Sequence, residues 1–170
     1  MKSHKHKEQR VGVFVDVSNM YYSAKNLYGA KVDFSKVLRQ AVSNRKLIRA
    51  FAYAIKADVG SEKDFFDALS IQGFEVRTKE LQVFVDGAKK GDWDVGLCMD
   101  VIRLMDKIDV MVLVSGDGDY IDLLDYSASR GVRTEVISFG RNSSSKLVDR
   151  ADDFVDMDKA PSLFLIRSRE

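Results

Sequence analysis

Short apolar runs and longer amphipathic segments alternate along most of this chain. The clearest run, Val110–Val114, has only apolar residues; it is too short for a helix and typical of a strand buried on both faces. Similar runs predict four further strands and a small edge strand, at residues 11–15, 47–56, 74–78, 132–139 and 154–155. Helical spacing of apolar residues predicts helices between them, at about residues 19–28, 33–41, 61–72, 92–105, 121–129 and 143–149.

This alternation predicts an α/β fold, a three-layer α/β/α sandwich with a mostly parallel sheet of about five to six strands. Right-handed crossovers favour the strand order 3-2-1-4-5. Strands 1 and 4 are then neighbours, the winding reverses between them, and such a switch point is where these sheets bind ligands. We expect one domain at residues 11–158, a basic N-terminal arm at residues 1–10 and a C-terminal tail at residues 159–170.

Composition is ordinary for a globular domain. The chain has 170 residues, of which 45% are hydrophobic and 31% charged, enough for one sizeable core. Its net charge of +1 neither favours nor excludes a nucleic-acid partner. No apolar run is long enough to cross a membrane, and none precedes Val11 as a secretory signal would. The single cysteine, Cys98, excludes an intramolecular disulfide and a cysteine-based zinc site, so we expect a cytoplasmic protein.

Acidic residues follow the two strands that should meet at the switch point. Asp16 comes directly after the first strand, and Asp117 follows the fourth strand through a Ser115-Gly116 turn. Asp94 begins the helix that leads into the fourth strand and should reach the same rim. Three carboxylates about 5 Å apart would repel by about 3 kcal/mol per pair at an effective dielectric near 20. A divalent cation would offset that cost.

Oxygen ligands alone favour Mg²⁺ or Mn²⁺ over Zn²⁺. A hard cation in an acidic pocket suits phosphodiester hydrolysis, because it activates water and neutralises charge on the phosphoryl oxygens. The pattern therefore indicates a metal-dependent hydrolase of phosphodiesters.

Three motifs resemble those of the NYN domain family, a branch of the PIN-like nuclease superfamily, and in particular its bacterial LabA-like members. They are Asp16-Val-Ser-Asn19, Lys90-Gly91 followed by Asp94-Val95-x-Leu97, and Ser115-Gly-Asp-Gly-Asp119. The resemblance covers about residues 11–157. It implies a metal-dependent ribonuclease with Asp16, Asp94 and Asp117 as metal ligands. It also implies auxiliary positions, which are Asn19, Asp119, Ser115 in the turn and Asp100.

One motif departs from the family pattern. The family has one residue between the lysine-glycine pair and the helix aspartate, whereas here Asp92 and Trp93 both intervene. Either Asp92 or Asp94 can therefore face the metal; we favour Asp94 because apolar Val95 and Leu97 follow it. Asp100 lies six residues further on and points about 120° away on the helix, so we expect a buried pair or an indirect role.

Basic residues near the predicted rim are candidates for holding RNA phosphates. Lys89 and Lys90 lie in a segment predicted as an exposed loop, and Arg141 and Lys146 follow the fifth strand. All four have the simpler interpretation of a solvated surface. Trp93 can stack on a base or pack beside the helix start, and packing is favoured.

Several of the polar candidates have a simpler interpretation as helix caps. Ser18 or Asn19 can cap the first helix, and Asp117 and Asp119 can begin the helix after the fourth strand. In the helix that contains Asp94, apolar spacing predicts a set of buried residues, which are Val95, Leu97, Cys98, Val101, Ile102 and Met105.

Two functions are carried forward. The first is a Mg²⁺- or Mn²⁺-dependent endoribonuclease acting on single-stranded or structured RNA, with no membrane partner and with a homodimer left open. The alternative is a catalytically weak RNA- or protein-binding regulatory module on the same fold. A metal-dependent phosphatase or nucleotide-binding enzyme ranks last, because Ser18 stands where an aspartyl phosphatase needs its second acid and no glycine-rich phosphate loop follows the first strand.

Overall fold

The computed structural model describes residues 5–56 and 62–166. Its strands are β1 Arg10–Asp16, β2 Lys31–Val32, β3 Lys46–Lys56, β4 Glu75–Glu80, β5 Gln82–Val83, β6 Lys89–Lys90, β7 Val110–Val114, β8 Arg133–Ser138, β9 Asp153–Asp156 and β10 Leu165–Ile166. Its α-helices are α1 Val17–Tyr28, α2 Phe34–Val42, α3 Glu62–Ile71, α4 Asp94–Leu104, α5 Ile121–Ser129 and α6 Ser145–Arg150. Short 3₁₀ turns include Gly118–Tyr120, between β7 and α5.

The central sheet has six strands in the order β4-β3-β1-β7-β8-β9, and every neighbouring pair is parallel. The predicted fold class is confirmed: the five predicted main strands are β1, β3, β4, β7 and β8, and β9 adds the edge strand. In detail, β2 pairs with β10 and β5 with β6 outside this sheet. Lys89 and Lys90 therefore pair with Val83 and Gln82 in a hairpin rather than lying in the predicted loop.

Two apolar cores separate the sheet from a helical layer on each side. Val13 packs with α1, α2 and α3, while its neighbour Phe14 packs with α4, α5 and α6. This division follows from the alternation of side chains along a strand. β1 and β7 are neighbours, with Val15 opposite Val114. Residues that follow these two strands therefore emerge side by side at the carboxyl edge of the sheet.

The start of the first helix differs from the prediction. Asp16, not Ser18 or Asn19, caps α1, and its carboxylate accepts from the backbone N–H of Asn19. The predicted start of the third helix at Ser61 lies outside the described residues, and the described helix begins at Glu62.

The predicted burial along α4 is partly wrong. Val95 and Ile102 are 74% and 40% exposed, and Cys98 is only partly buried. The buried apolar stripe of α4 is narrower than predicted. It is formed by Leu97, Val101 and Leu104.

The segment after residue 158 packs back onto the domain. Phe164 is buried in the core beneath α1 and α2, and β10 pairs antiparallel with β2. The division into arm, domain and tail stays a prediction, and residues 1–4 and 167–170 of the arm and tail lie outside the described part of the chain. Within residues 5–56 and 62–166, no helix combines the length and hydropathy needed to cross a membrane.

Candidate metal centre

Three aspartates from distant parts of the chain converge at the carboxyl edge of the sheet. Asp16 ends β1, Asp117 follows β7 by three residues, and Asp94 is the first residue of α4. One carboxylate oxygen of each lies within 4.8 Å of those of the other two, and all three side chains are partly buried. This arrangement can hold a metal ion with oxygen ligands.

Asp16 is held by hydrogen bonds to both of its carboxylate oxygens. Its Oδ1 accepts from the backbone N–H of Asn19 at 3.2 Å. Its Oδ2 accepts from the hydroxyl groups of Tyr120 at 3.3 Å and Ser115 at 3.4 Å. Burial raises the pKa of Asp16 and the charge of Asp117 adds to this, although the hydrogen bonds oppose the rise. The Asp16 carboxylate is therefore fixed in position, and its hydrogen bonds do not fully offset the cost of burying its negative charge.

The pKa of Asp94 is also raised. Burial raises its pKa to about 6, and the charges of Asp117, Asp92 and Asp16 contribute. Asp92 is exposed, and its Oδ1 accepts from the backbone N–H of Asp94 at 3.2 Å. Of the two alternatives left by the sequence, the structure brings Asp94 into the triad and makes Asp92 a support for the helix start. Of the two apolar residues that favoured Asp94, Leu97 is buried, whereas Val95 faces solvent.

The turn after β7 is built from its own polar groups. Ser115 Oγ accepts from the backbone N–H of Asp117 at 3.2 Å, and Asp117 Oδ1 accepts from that of Asp119 at 2.9 Å. Asn19 ties this turn to α1, because its Oδ1 accepts from the backbone N–H of Gly116 at 3.0 Å. The side chain of Asp119 is exposed beside the triad's turn. Asp117 is thus both a turn cap and a triad member.

Gly116 is required by close packing. A Cβ atom at this position would lie 2.7 Å from Ser143 Oγ and 2.9 Å from the carbonyl oxygen of Asn142. The loop after β8 therefore presses against the turn that carries Asp117, and only glycine leaves room for it.

Tyr120 is the site residue that the sequence reasoning missed. Its side chain is fully buried, and its hydroxyl donates to Asp16 and also lies beside Asp94, whose pKa it lowers against the other influences. Burial, with the charges of Asp16 and Asp94, raises the pKa of Tyr120 far above its ordinary value. A tyrosine directly after the acidic turn was the available signal, but no role was predicted for it from the sequence.

Asp100 lies outside the triad in a separate polar cluster. It is 4% exposed, accepts from the hydroxyl of Tyr53 at 2.9 Å, and pairs with Arg77 and Arg103 at 3.2 Å each. The expected buried pair is thus present, and Asp100 does not share the triad's position.

The predicted RNA-binding cations lie in different surroundings. Arg141 is exposed, pairs with Asp158 at 3.3 Å and lies over the ring of Tyr28. Lys146 is exposed in the first turn of α6. The side chains of Lys89 and Lys90 lie outside the described part of the structure.

Trp93 packs rather than projecting into solvent. Its indole Nε1–H donates to the carbonyl oxygen of Ala54 at 2.9 Å, and its ring lies 5.4 Å from that of Tyr53. This places the indole against β3 beside the start of α4.

Comparison with known proteins gives consistent results. A family model described as the NYN domain matches residues 10–158. Over 157 residues the chain is 28% identical to the low amplitude and bright protein LabA of Synechococcus elongatus, covering 87% of this chain and 83% of that protein. A crystal structure of a protein of unknown function from Vibrio parahaemolyticus matches with a TM-score of 0.86 and 33% identity, covering 96% of this chain and 100% of that one.

Proposed function

Because the chain belongs to the NYN domain family, we propose that it is a Mg²⁺- or Mn²⁺-dependent endoribonuclease acting on single-stranded or looped RNA. The observation that carries this proposal is the convergence of Asp16, Asp94 and Asp117, whose carboxylate oxygens lie within 4.8 Å of one another. Family membership favours nuclease chemistry at this position.

The donor set suits a hard divalent cation. It consists of carboxylates alone, and Mg²⁺ and Mn²⁺ prefer oxygen ligands. Burial, with smaller contributions from neighbouring carboxylates, raises the pKa values of Asp16 and Asp94, and a bound cation would favour their charged forms. When bound, the cation supplies an activated water and neutralises charge on the phosphoryl oxygens.

The protein's own groups position the ligands. Tyr120 and Ser115 hold Oδ2 of Asp16, and Asn19 connects the Asp16 helix start to the turn that carries Asp117. In this proposal Asp119 lies at the exposed side of the site and orients the attacking water. Geometry fixed before substrate binds lowers the cost of organising the reaction.

Capping alone is an incomplete explanation of the three acids. Asp16 caps α1, Asp117 caps the 3₁₀ turn, and Asp94 is favoured by the dipole of α4. Each of these roles is local. None of them requires three carboxylates from distant segments to approach closely, which costs free energy without a cation.

The test is cleavage of an unstructured, end-labelled RNA with Mn²⁺, Mg²⁺ or EDTA. We expect cleavage with either cation and none in EDTA. Asp117→Asn keeps a cap acceptor but loses a charged ligand, so we expect a loss of about a hundredfold or more, comparable to removal of an electrostatic catalytic group.

Asp122→Asn is the matched control, because Asp122 is an exposed acid in the first turn of α5 and lies outside the triad. We expect it to cleave like the unaltered protein. Equal cleavage by Asp117→Asn and the unaltered protein would refute the proposal. RNA binding in EDTA with no cleavage under either cation would instead identify a binding module.

A further inference from the structure

The edge strand β4 carries exposed cations on the side of the sheet that faces α4. In the pairing of β3 with β4, Tyr53 lies opposite Arg77 and Ile55 lies opposite Lys79. Opposite side chains share a face of a sheet, and Tyr53 belongs to the core beneath α4. Arg77 and Lys79 therefore project on that side. Alternate residues of a strand are about 6.6 Å apart, similar to successive phosphates along an extended single strand.

Buried Asp100 orients two guanidinium groups at this surface. Its Oδ2 lies 3.2 Å from Nε of Arg77, and its Oδ1 lies 3.2 Å from Nη1 of Arg103. The two arginine side chains are still 43% and 66% exposed. Because two cations share one carboxylate, this group carries excess positive charge at the surface. Asp100 is fixed in the interior while both guanidinium groups stay open to solvent, so we assign Asp100 an orienting role.

Arg49 is not counted among these cations. It makes a two-pronged ion pair with Glu75, with distances of 2.8 and 2.7 Å, so its charge is neutralised. The remaining cations, Arg103, Arg77 and Lys79, are defined here as the β4 track.

Lys79 joins the β4 track to the acidic triad. Its Nζ lies 4.3 Å from the ring centroid of Trp93 and donates to the carbonyl oxygen of Asp92 at 3.3 Å. Trp93 directly precedes Asp94. The track therefore leads along the edge strand to the start of the helix that carries a triad member.

We propose that the β4 track binds the phosphates of single-stranded RNA and leads the strand to the triad. The inference rests on the proposed nuclease function, since the triad is where the bound strand would be cut. Arg77 and Lys79 follow one another along the edge strand and Arg103 extends the row from α4, so the cations form a single narrow row that matches one phosphate chain rather than a duplex. The net charge of the whole chain is only +1, so it attracts RNA weakly. Attraction of the RNA therefore depends on local clusters of positive charge such as this one.

The test measures fluorescence anisotropy of a labelled oligouridylate in EDTA, over a series of NaCl concentrations. We expect Lys79→Gln and Arg103→Gln each to raise Kd about two- to fivefold, the size of an exposed ion pair. The double variant should raise it about tenfold. Each lost phosphate contact should reduce the salt slope by about 0.7. Arg77 is retained in every variant, so that Asp100 keeps one guanidinium partner when Arg103 is replaced.

Lys107→Gln and Arg130→Gln are the matched controls. Lys107 is exposed before β7, and Arg130 pairs with an acid, Asp106, after α5; both lie at the amino edge of the sheet, away from the triad. We expect both controls to bind RNA with the Kd and salt slope of the unaltered protein. Thermal unfolding of each variant confirms that it is folded.

The outcomes separate the two proposals. If the unaltered protein cleaves RNA with Mn²⁺ but Lys79→Gln and Arg103→Gln bind as it does, the β4 track is wrong and the nuclease proposal stands. If binding depends on the track but no cleavage occurs with either cation, the nuclease proposal is wrong and the track stands. Absence of both binding and cleavage overturns both.

Discussion

Replacing Asp117 by Asn should stabilise the metal-free protein, although most substitutions destabilise. At the 4.8 Å that bounds the triad, two unit charges repel by about 3.5 kcal/mol at an effective dielectric near 20. Asp117 faces two such neighbours, but solvent screening of partly exposed groups reduces the sum severalfold. The asparagine Oδ1 can still accept from the backbone N–H of Asp119, so little of the stability from this cap is lost. We expect a gain of about 1–2 kcal/mol in the free energy of unfolding.

The pH dependence of this gain has a definite sign. The pKa of Asp94 is about 6 in the folded protein, above its ordinary value of 3.8. Between these values the folded state binds more protons than the unfolded state, so stability falls as pH rises through this window. Below it, protonation of Asp94 relieves the repulsion. The advantage of Asp117→Asn should therefore be full above about pH 6 and should shrink towards pH 4.

Urea unfolding in EDTA at pH 7.5 and pH 4.5 measures both effects, with Asp122→Asn as the charge-matched control. In a thermal unfolding experiment, the same gain of about 1–2 kcal/mol would appear as a rise in Tm of about 2–8 °C for a chain of this size. With saturating Mn²⁺ the order should reverse, because only the unaltered protein gains the full binding free energy. A lower stability of Asp117→Asn than of Asp122→Asn in EDTA at pH 7.5 would show that the three carboxylates do not repel one another appreciably.

Three further predictions concern the same centre. Tyr120→Phe removes the hydroxyl held by Asp16 and should weaken Mn²⁺ binding several-fold in calorimetric titration; unchanged affinity would exclude a positioning role. Mn²⁺ affinity should fall as pH drops below about 6, where protons compete at Asp94, and a flat profile from pH 7 to 5 would contradict the pKa assignment. Gly116→Ala places a Cβ 2.7 Å from Ser143 Oγ and should lower the free energy of unfolding by about 1–3 kcal/mol, as measured with urea. An unchanged free energy would show that the loop after β8 moves to make room.

The order of strands and the convergence of Asp16 with Asp117 could be derived from the sequence. Apolar runs and helical spacing are local patterns, and they locate the main strands to within a few residues. The handedness of βαβ crossovers then restricts the order of the strands, so β1 and β7 become neighbours. Acids that directly follow these two strands must emerge at the same edge. The family was recognised from three motifs at these positions, and that recognition is confirmed.

Only the tertiary structure decided between Asp92 and Asp94 and placed Tyr120 between two triad members. The direction of a side chain at a helix start depends on local backbone geometry, and apolar spacing does not specify it. Asp92 turns back to support the helix while Asp94 faces Asp16 and Asp117.

The β4 track depends on contacts between residues far apart in sequence. Arg77 lies on a strand and Arg103 on a helix, and both meet Asp100 only after β4 has paired with β3 beneath α4. Neither charge is distinctive in the sequence, because the two arginines are 26 residues apart and no motif links them. The periodicity of the chain determined the fold and the edge of the sheet where Asp16 and Asp117 emerge; strand register and side-chain direction, which are non-local, decided which groups meet there.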